Sequence, residues 1–374
     1  MVDPIVVIGA GIAGASTAYH LTGRTDRPVR VIERGAIAAE TTGKSTAVFR
    51  FHGEPTLDRM KRYALETFNE FLADAAAMTE YEPLGGRLEV ATSEAAAEDV
   101  RAVDAPIAAH VDPADLDETL LFPQLATDVL EAAVFLPNAG YFRPTELTFE
   151  FVERAEKRGA TFVEGTTVRG VSTEGGRVTG VETDSETIEA RAVVSAAGPW
   201  NLQVGRSAGV ELPIRHTLAP ILRLEPLADR VTTIPNIVHE DTGYYLRGSA
   251  NGEVLVGHSP GDYEAGTEYD PATVSNSVPA EIRKNAIDVI ELLVPSLIDS
   301  DIVEEWAGVR SRIPDERPMV GPAGPDGLYF VAFHSEGLQL ATAAGRRVAE
   351  IVTGESDPGD LSPERFENHP DADF

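Results

Sequence analysis

Residues 4–23, PIVVIGAGIAGASTAYHLTG, constrain the fold more than any other stretch. PIVVIG is a short uncharged β-branched run, the pattern of a strand buried on both faces of a parallel sheet. The next stretch, IAGASTAYHLTG, places Ile12, Ala15 and Tyr19 among small residues at helical spacing and stops at Gly23. At the turn between strand and helix lie Gly9, Gly11 and Gly14 in the G-x-G-x-x-G arrangement. The first glycine permits a tight turn, the second lets backbone approach a pyrophosphate, and the third lets helix and strand pack closely, so that the helix N-terminus faces the phosphates. A tight turn without a ligand would also use glycines, so the motif needs its context. RPVRVIERG supplies it: a second strand ends in Glu33, nineteen residues beyond Gly14, where an acid for a ribose hydroxyl belongs. Strand, glycines, helix, strand and acid in this order predict a dinucleotide site for FAD or NAD, and the acid at the strand end disfavours NADP.

The 374 residues exceed the usual single-domain range and predict two domains. No apolar run is long enough to span a bilayer, and the chain enters its first strand directly, so neither a transmembrane helix nor a signal peptide is expected and the protein reads as cytoplasmic. Cysteine is absent, which excludes disulfides, thiolate metal sites, iron–sulfur ligation and Cys nucleophiles together. The formal net charge of −30, spread along the chain, would repel nucleic acid and anionic membrane surfaces. Self-repulsion of that size is relieved in concentrated salt, where the Debye length shrinks to about 3 Å at 1 M, so a high-salt cytoplasm, as in a halophile, is predicted.

Helix-like segments such as TLDRMKRYALETFNEFLADAAA and PTELTFEFVERAEKRG alternate with strand pairs. GTTVRGVSTEGGRVTGVETDSETIEARAVVSAAG reads as a hairpin or three-stranded meander returning to a buried strand that ends in small residues around Gly198. From Glu355 onward the acidic, Pro-rich end reads as loosely packed.

The opening motif, TTGKSTAVFR at 41–50, VVSAAGPW at 193–200, GYYL at 243–246, WAGVRSRIPDERPMVG at 306–321 and GLQLATAAGRRVAEIV at 337–352 occur in the order typical of the FAD-dependent D-amino acid oxidase family, and the chain resembles that family nearly end to end. The family includes glycine oxidase, sarcosine oxidase and D-arginine dehydrogenase, and GAGIAGAST, STAVF and WAGVRS resemble the last most. The resemblance implies an α/β chain with a Rossmann-like FAD-binding domain assembled from separated segments (1–85, 141–212 and 302–360), a mixed-sheet α+β substrate domain (86–140 and 213–301) and an acidic tail (361–374). It implies that Gly9, Gly11, Ile12, Ala13, Gly14, Glu33 and Arg34 hold the ADP half of FAD, and that Thr42, Lys44, Ser45, Thr46 and Ala47 follow the pyrophosphate toward the flavin. Val168 would meet the adenine through its backbone, Ala197, Gly198, Trp200 and Gly308 would close the cleft, and Ser335, Glu336, Gly337, Leu338 and Gln339, at a helix N-terminus, would face the electron-rich flavin edge. Some members attach flavin through Cys or His; with no Cys in the chain and no His in TTGKSTA, FAD is expected to be held noncovalently.

An amino acid substrate needs its carboxylate clamped, and a planar guanidinium does so bidentately. Arg310 matches the family's carboxylate-binding arginine and also its flavin surroundings; Tyr245 matches the tyrosine that bonds the same carboxylate, with Tyr244 facing the other side of the strand. Arg50 and His52 fall where relatives contact substrate or flavin ring, His52 being a departure from the aromatic of D-arginine dehydrogenase. Glu89 matches an acid that selects a cationic side chain, while strand alternation equally allows it a solvated face. His334 lies beside the flavin segment, as either a second anion contact or a satisfied loop histidine, and Gln339 ends that segment with a candidate role at the substrate. These residues together imply oxidation of the Cα–N bond of an amino acid, expected to be a D-amino acid, by hydride transfer to flavin, giving an imine that hydrolyses to a 2-oxo acid and ammonia. A glycine- or sarcosine-type oxidase releasing peroxide, a flavin subunit of a hetero-oligomeric dehydrogenase, and a plain NAD-binding Rossmann protein are the alternatives. Sarcosine oxidases place a lysine over the flavin in a strand resembling NGEVLVGHS; the matching residue here is Leu255, which favours a quinone-like electron acceptor over oxygen.

Overall fold

The computed structural model describes residues 2–50, 55–104, 108–116, 124–137, 139–226, 234–259 and 269–366. His52 and the tail beyond 366 lie outside the described residues. Two large sheets organise the chain. The first has six strands in the order Met319–Pro322, Leu328–Ala332, Ala192–Ser195, Ile5–Ile8, Val29–Ile32, Thr161–Val163, and all neighbours are parallel except the first pair. Its strands are short, β-branched and buried on both faces, as the uncharged runs predict. Ile5, Val7, Val29 and Val31 pack under helices Ile12–Thr22 and Gly337–Thr353, while Val6, Ile8, Ile32 and Val193 pack against the three-stranded meander Val168–Glu174, Arg177–Thr183, Thr187–Glu189. The two helices cross closely because a Cβ on Gly345 would meet Ser16 Oγ at 2.4 Å; small residues set that spacing.

The second sheet has eight strands, in the order Asp301–Arg312, Arg215–Glu225, Val254–His258, Tyr244–Gly248, Asn236–His239, Arg87–Ala91, Ala132–Leu136, Ala109–Val111. One face is apolar, with Leu88, Leu222, Leu224, Ile237, Leu246, Val254 and Val256 packed on helix Ala280–Leu293. By the two-residue period of each strand, the other face carries Glu89, Val238, Tyr245, Gly257, Ile221 and Arg310. That face looks onto the first sheet's strand ends.

Two boundaries differ from the sequence reading. Strand Asp301–Arg312, which opens the segment 302–360 expected to bind FAD, pairs along its whole length with Arg215–Glu225 and is an edge strand of the eight-stranded sheet. Helix-free extended chain with alternating polarity carries no mark of which sheet it will join. The end of the chain is also better packed than its acidity suggests through residue 366: Gly359–Leu361 and Pro363–Phe366 form short 3-10 turns, Leu361 is buried in the helix–sheet core, and Arg365 pairs with Asp315 at 2.8 Å. Arginine countercharges and one apolar anchor outweigh the local repulsion.

Candidate active site

A continuous cavity of about 1280 Å³ runs from the glycine turn across the strand ends of the first sheet to the polar face of the second. It is larger than the usual drug-sized ligand pocket of roughly 300–1,000 Å³, as a dinucleotide plus a small substrate would require.

The glycine end is built from backbone. Gly9 takes φ +98°, and a Cβ there would lie 2.7 Å from Ala196 O. A Cβ on Gly14 would lie 1.8 Å from Gly9 O, so Gly14 sits beneath the cavity wall and allows the helix to seat on the strand. Gly11 opens helix Ile12–Thr22 without a side-chain cap, and Thr42 Oγ1 accepts from Ile12 N–H at 3.2 Å. The Glu33 carboxylate accepts from the amides of Ala10 and Gly35, each at 2.8 Å, which fixes it at the end of its strand beside the turn. Opposite, the Arg34 guanidinium stacks 3.6 Å over the Trp200 ring, whose buried Nε1 has no partner among the described residues. Ile12, Ala13, Val168, Ala197 and Gly198 complete this end of the wall.

Segment 41–47 then bridges the two sheets. Thr41 Oγ1 donates to Val309 O at 3.2 Å, Trp306 Nε1 donates to Lys44 O at 3.0 Å, and Arg247 Nε donates to Thr46 O at 3.0 Å. Lys44, Ser45, Thr46, Ala47 and Gly308 line the cavity along this stretch. Ser335 and Glu336 both adopt left-handed backbone, φ 53° and 45°, directly before helix Gly337–Thr353. Strain of this kind, about 1–3 kcal/mol per residue, persists at functional sites where packing over-determines it. Ser335, Glu336, Gly337, Leu338 and Gln339 all line the cavity, and Gln339 Oε1 accepts from Arg50 N–H at 2.8 Å.

The far end is built from side chains. Arg310 Nη2 donates to His258 O at 3.1 Å, whereas its buried Nη1 has no partner among the described residues. Burial pulls this guanidinium below the usual arginine range, and the Tyr245 phenol counters the shift. Tyr245 OH lies 3.2 Å from Thr46 Oγ1, and its ring covers Gly257, where a Cβ would approach it to 2.3 Å. Tyr244 faces the other way: its OH donates to Ile282 O at 3.0 Å, and burial pushes the phenol up to about 12. Glu89 is not on a solvated face. It is buried on the cavity side, with Arg87 Nε at 2.6 Å and Arg50 Nη1 at 3.6 Å. Burial lowers Arg50 to about 10 despite Glu336 and Glu89.

His334 is set apart from the site. Its Nδ1 is held by the backbone of Ile313, at 2.9 Å to O and 3.0 Å to N, and it does not line the cavity. A loop histidine beside a functional segment reads the same in sequence whether it faces inward or not. Arg87, Asn236 and Glu240 line the cavity, and sequence reasoning does not single them out; Arg87 Nη1 donates to Asn236 Oδ1 at 2.9 Å, a pair 149 residues apart that no local pattern announces.

The family model described as FAD dependent oxidoreductase matches residues 4–351. The chain belongs to this family. Among its relatives, uncharacterized oxidoreductase YurR of Bacillus subtilis is 28% identical, covering 96% of this chain and 97% of that protein. Glycine oxidase of Geobacillus kaustophilus is 24% identical, covering 98% and 97%. The 4-methylaminobutanoate oxidase (formaldehyde-forming) of Paenarthrobacter nicotinovorans is 26% identical over 97% of this chain, which spans only 46% of that longer protein. In structure the chain is similar to L-proline dehydrogenase from P. horikoshii, with TM-score 0.83, 25% identity and 98% of each chain covered. The family's cofactor fits what the cavity offers: a turn where two glycines exclude Cβ atoms, a strand-end carboxylate, and an unpartnered indole N–H. The protein is an FAD-dependent oxidoreductase. Among the described residues no helix is long and apolar enough to cross a membrane, and no cluster of His, Asp and Glu has the geometry of a metal site.

Proposed function

We propose that the protein oxidises the Cα–N bond of an amino acid. The observation that carries the reading is the half-buried Arg310 guanidinium on the cavity side, with one arm anchored and the other, its buried Nη1, without a partner among the described residues. An uncompensated buried cation is costly, and a substrate carboxylate is the group that would satisfy it bidentately. Tyr245 OH, held near Thr46, supplies a second donor to the same carboxylate. Bound FAD supplies the two-electron oxidant. With the carboxylate fixed, the Cα hydrogen departs with both electrons of its bond, the neutral amine's lone pair forms C=N, and water then converts the imine to a 2-oxo acid and ammonia. Orientation of this kind contributes several kcal/mol to lowering the barrier. FAD is held noncovalently by the residues of the glycine turn, segment 41–47 and residues 335–339, in a cofactor-binding part made of 1–85, 141–212 and most of 302–360. Segments 86–140 and 213–301 form the substrate part.

The D-amino acids suggested by the family resemblance are the first substrates to try, with an uncharged side chain in place of the cationic one, because Glu89 is already paired with two guanidinium groups. N-substituted amino acids are the second reading, in keeping with the similarity to glycine oxidase and 4-methylaminobutanoate oxidase; an amine would then leave in place of ammonia. The deciding experiment is anaerobic mixing of the holoenzyme with D-amino acids, sarcosine, L-proline and 2-hydroxy acids while following flavin bleaching. Bleaching by 2-hydroxy acids alone would overturn the reading.

Leu255, buried on the strand that also carries Gly257, supports an electron acceptor other than oxygen. Substrate-reduced enzyme is expected to persist in air and to reoxidise rapidly with a quinone; millisecond reoxidation with stoichiometric peroxide would make it an oxidase. The net charge of −30 supports a salt-rich cytoplasm as the working medium, and a melting temperature unchanged between dilute buffer and concentrated KCl would remove that support.

A further inference from the structure

Lys61 is one of only four lysines in the chain and is fully buried on helix Pro55–Leu72, outside the cavity wall. Its Nζ lies 3.0 Å from Glu336 Oε2. Glu336 Oε1 lies 3.3 Å from Arg50 Nη2, Arg50 Nη1 lies 3.6 Å from Glu89 Oε1, and the same oxygen is 2.6 Å from Arg87 Nε. Five side chains thus alternate in sign from the helix, through the strained residue before helix Gly337–Thr353, to the polar face of the eight-stranded sheet. Glu240 also faces Arg50 and Arg87, and Asp58 faces Lys61, so the three cations are matched by acids on every side. Arg50, Arg87, Glu89 and Glu336 line the cavity; Lys61 stands behind them.

We propose that Lys61 is a positioning residue for the oxidation: through Glu336 it holds Arg50 against the cavity wall, and it supplies the positive charge by which that wall favours the two-electron-reduced cofactor. In a protein of net charge −30, a buried cation behind the cavity wall has to be built in, and removing one leaves the surrounding acids uncompensated. A buried cation costs desolvation that is recovered only with a close partner, and burial does pull the Lys61 ammonium below the usual lysine range while Glu336 pulls it back. A Lys at this position has no role in helix packing that Met would not fill: Lys61, Ala64, Phe68 and Phe71 share the helix's buried stripe. A Lys-to-Met change there keeps the volume and removes the charge. The unusual left-handed backbone at Glu336 places its carboxylate between the two cations, so the strain and the ion pairs are parts of one arrangement.

The inference rests on bound FAD and not on the choice of substrate, and its test uses no substrate. The midpoint potential of FAD in the holoenzyme is measured by equilibrium dye titration. Lys61→Met removes one positive charge and is expected to lower the equilibrium constant for reduction about tenfold, a fall of about 30 mV for a two-electron couple. Glu336→Gln moves the balance the other way and raises the potential. Lys61→Met/Glu336→Gln restores the wild-type charge count and returns the constant to within about threefold of wild type. An unchanged potential in Lys61→Met, or a double variant as low as the single, overturns the proposal and leaves Lys61 a packing residue. If Lys61→Met does not retain FAD, Glu336→Gln decides alone: a raised potential is expected, and an unchanged or lowered one refutes the inference.

Discussion

The two ends of the cavity are built by different means. At the glycine end the contacts come from backbone, placed by residues that succeed by having no side chain: Gly9 and Gly14 admit neighbouring main chain where any Cβ would collide. At the other end they come from long charged side chains, Arg310, Arg50, Arg87 and Glu89, whose positions depend on one another and on strands far apart in the chain. A backbone site is stiff and forgives little at a few positions; a side-chain network is adjustable and spreads its dependence over many.

The sharpest contrast comes from Gly14→Ala. With 1.8 Å between the new Cβ and Gly9 O, the helix must move off the strand. Overpacking of this severity costs about 3 kcal/mol or more, so the variant is expected to lose bound FAD, seen as loss of the visible flavin bands, and to unfold at markedly lower denaturant. Retention of FAD at wild-type stability would break the comparison. Arg310→Ala addresses the other end: the transition-state stabilisation read from kcat/KM is expected to fall by about 2–5 kcal/mol while the flavin spectrum stays normal, and loss of FAD there would mean that the guanidinium serves the fold. An intermediate effect tests the glycine end's hidden acid sensitivity. His20, on the helix after the glycine turn, is buried and held down to about 3 by burial and by Arg24, Arg346 and Arg158. Its folded pKa lies below the unfolded value of about 6.5, so the unfolded chain takes up the proton first and stability is lost as pH falls below that value. Between pH 6.5 and 5 the loss is about 2 kcal/mol; His20→Gln should flatten this part of the stability–pH curve relative to wild type, and parallel curves would refute it. Tyr245→Phe is the mildest case, with one hydrogen bond worth about 1 kcal/mol, expected as a several-fold rise in KM with FAD binding unchanged.

Legibility in the sequence divides along the same line. The glycine turn and Glu33 obey rules of local spacing, so strand, helix and acid can be read directly. The match of GYYLRG and WAGVR to the family directs attention to Tyr245 and Arg310, but their common face depends on the register Tyr245–Gly257 and Thr217–Arg310, which is set by pairing across the sheet. Arg87, Asn236 and Lys61 escape a sequence reading because their partners are remote; for Lys61 a signal exists, a lysine in step with Ala64, Phe68 and Phe71 on an otherwise apolar stripe. The tail reads as loose because its acidity is local while its countercharges, Arg317 among them, come from elsewhere.

Three hydrogen bonds tie segment 41–46, a stretch of the cavity wall, to Val309, Trp306 and Arg247 of the eight-stranded sheet. Anything that binds only the assembled state stabilises all of it, and any coupling is reciprocal: on the proposed reading, a carboxylate on the far face that tightened the hold on FAD would do so by the same factor by which FAD raised affinity for the carboxylate. An enzyme built on that reading would guard its cofactor most firmly while occupied with substrate.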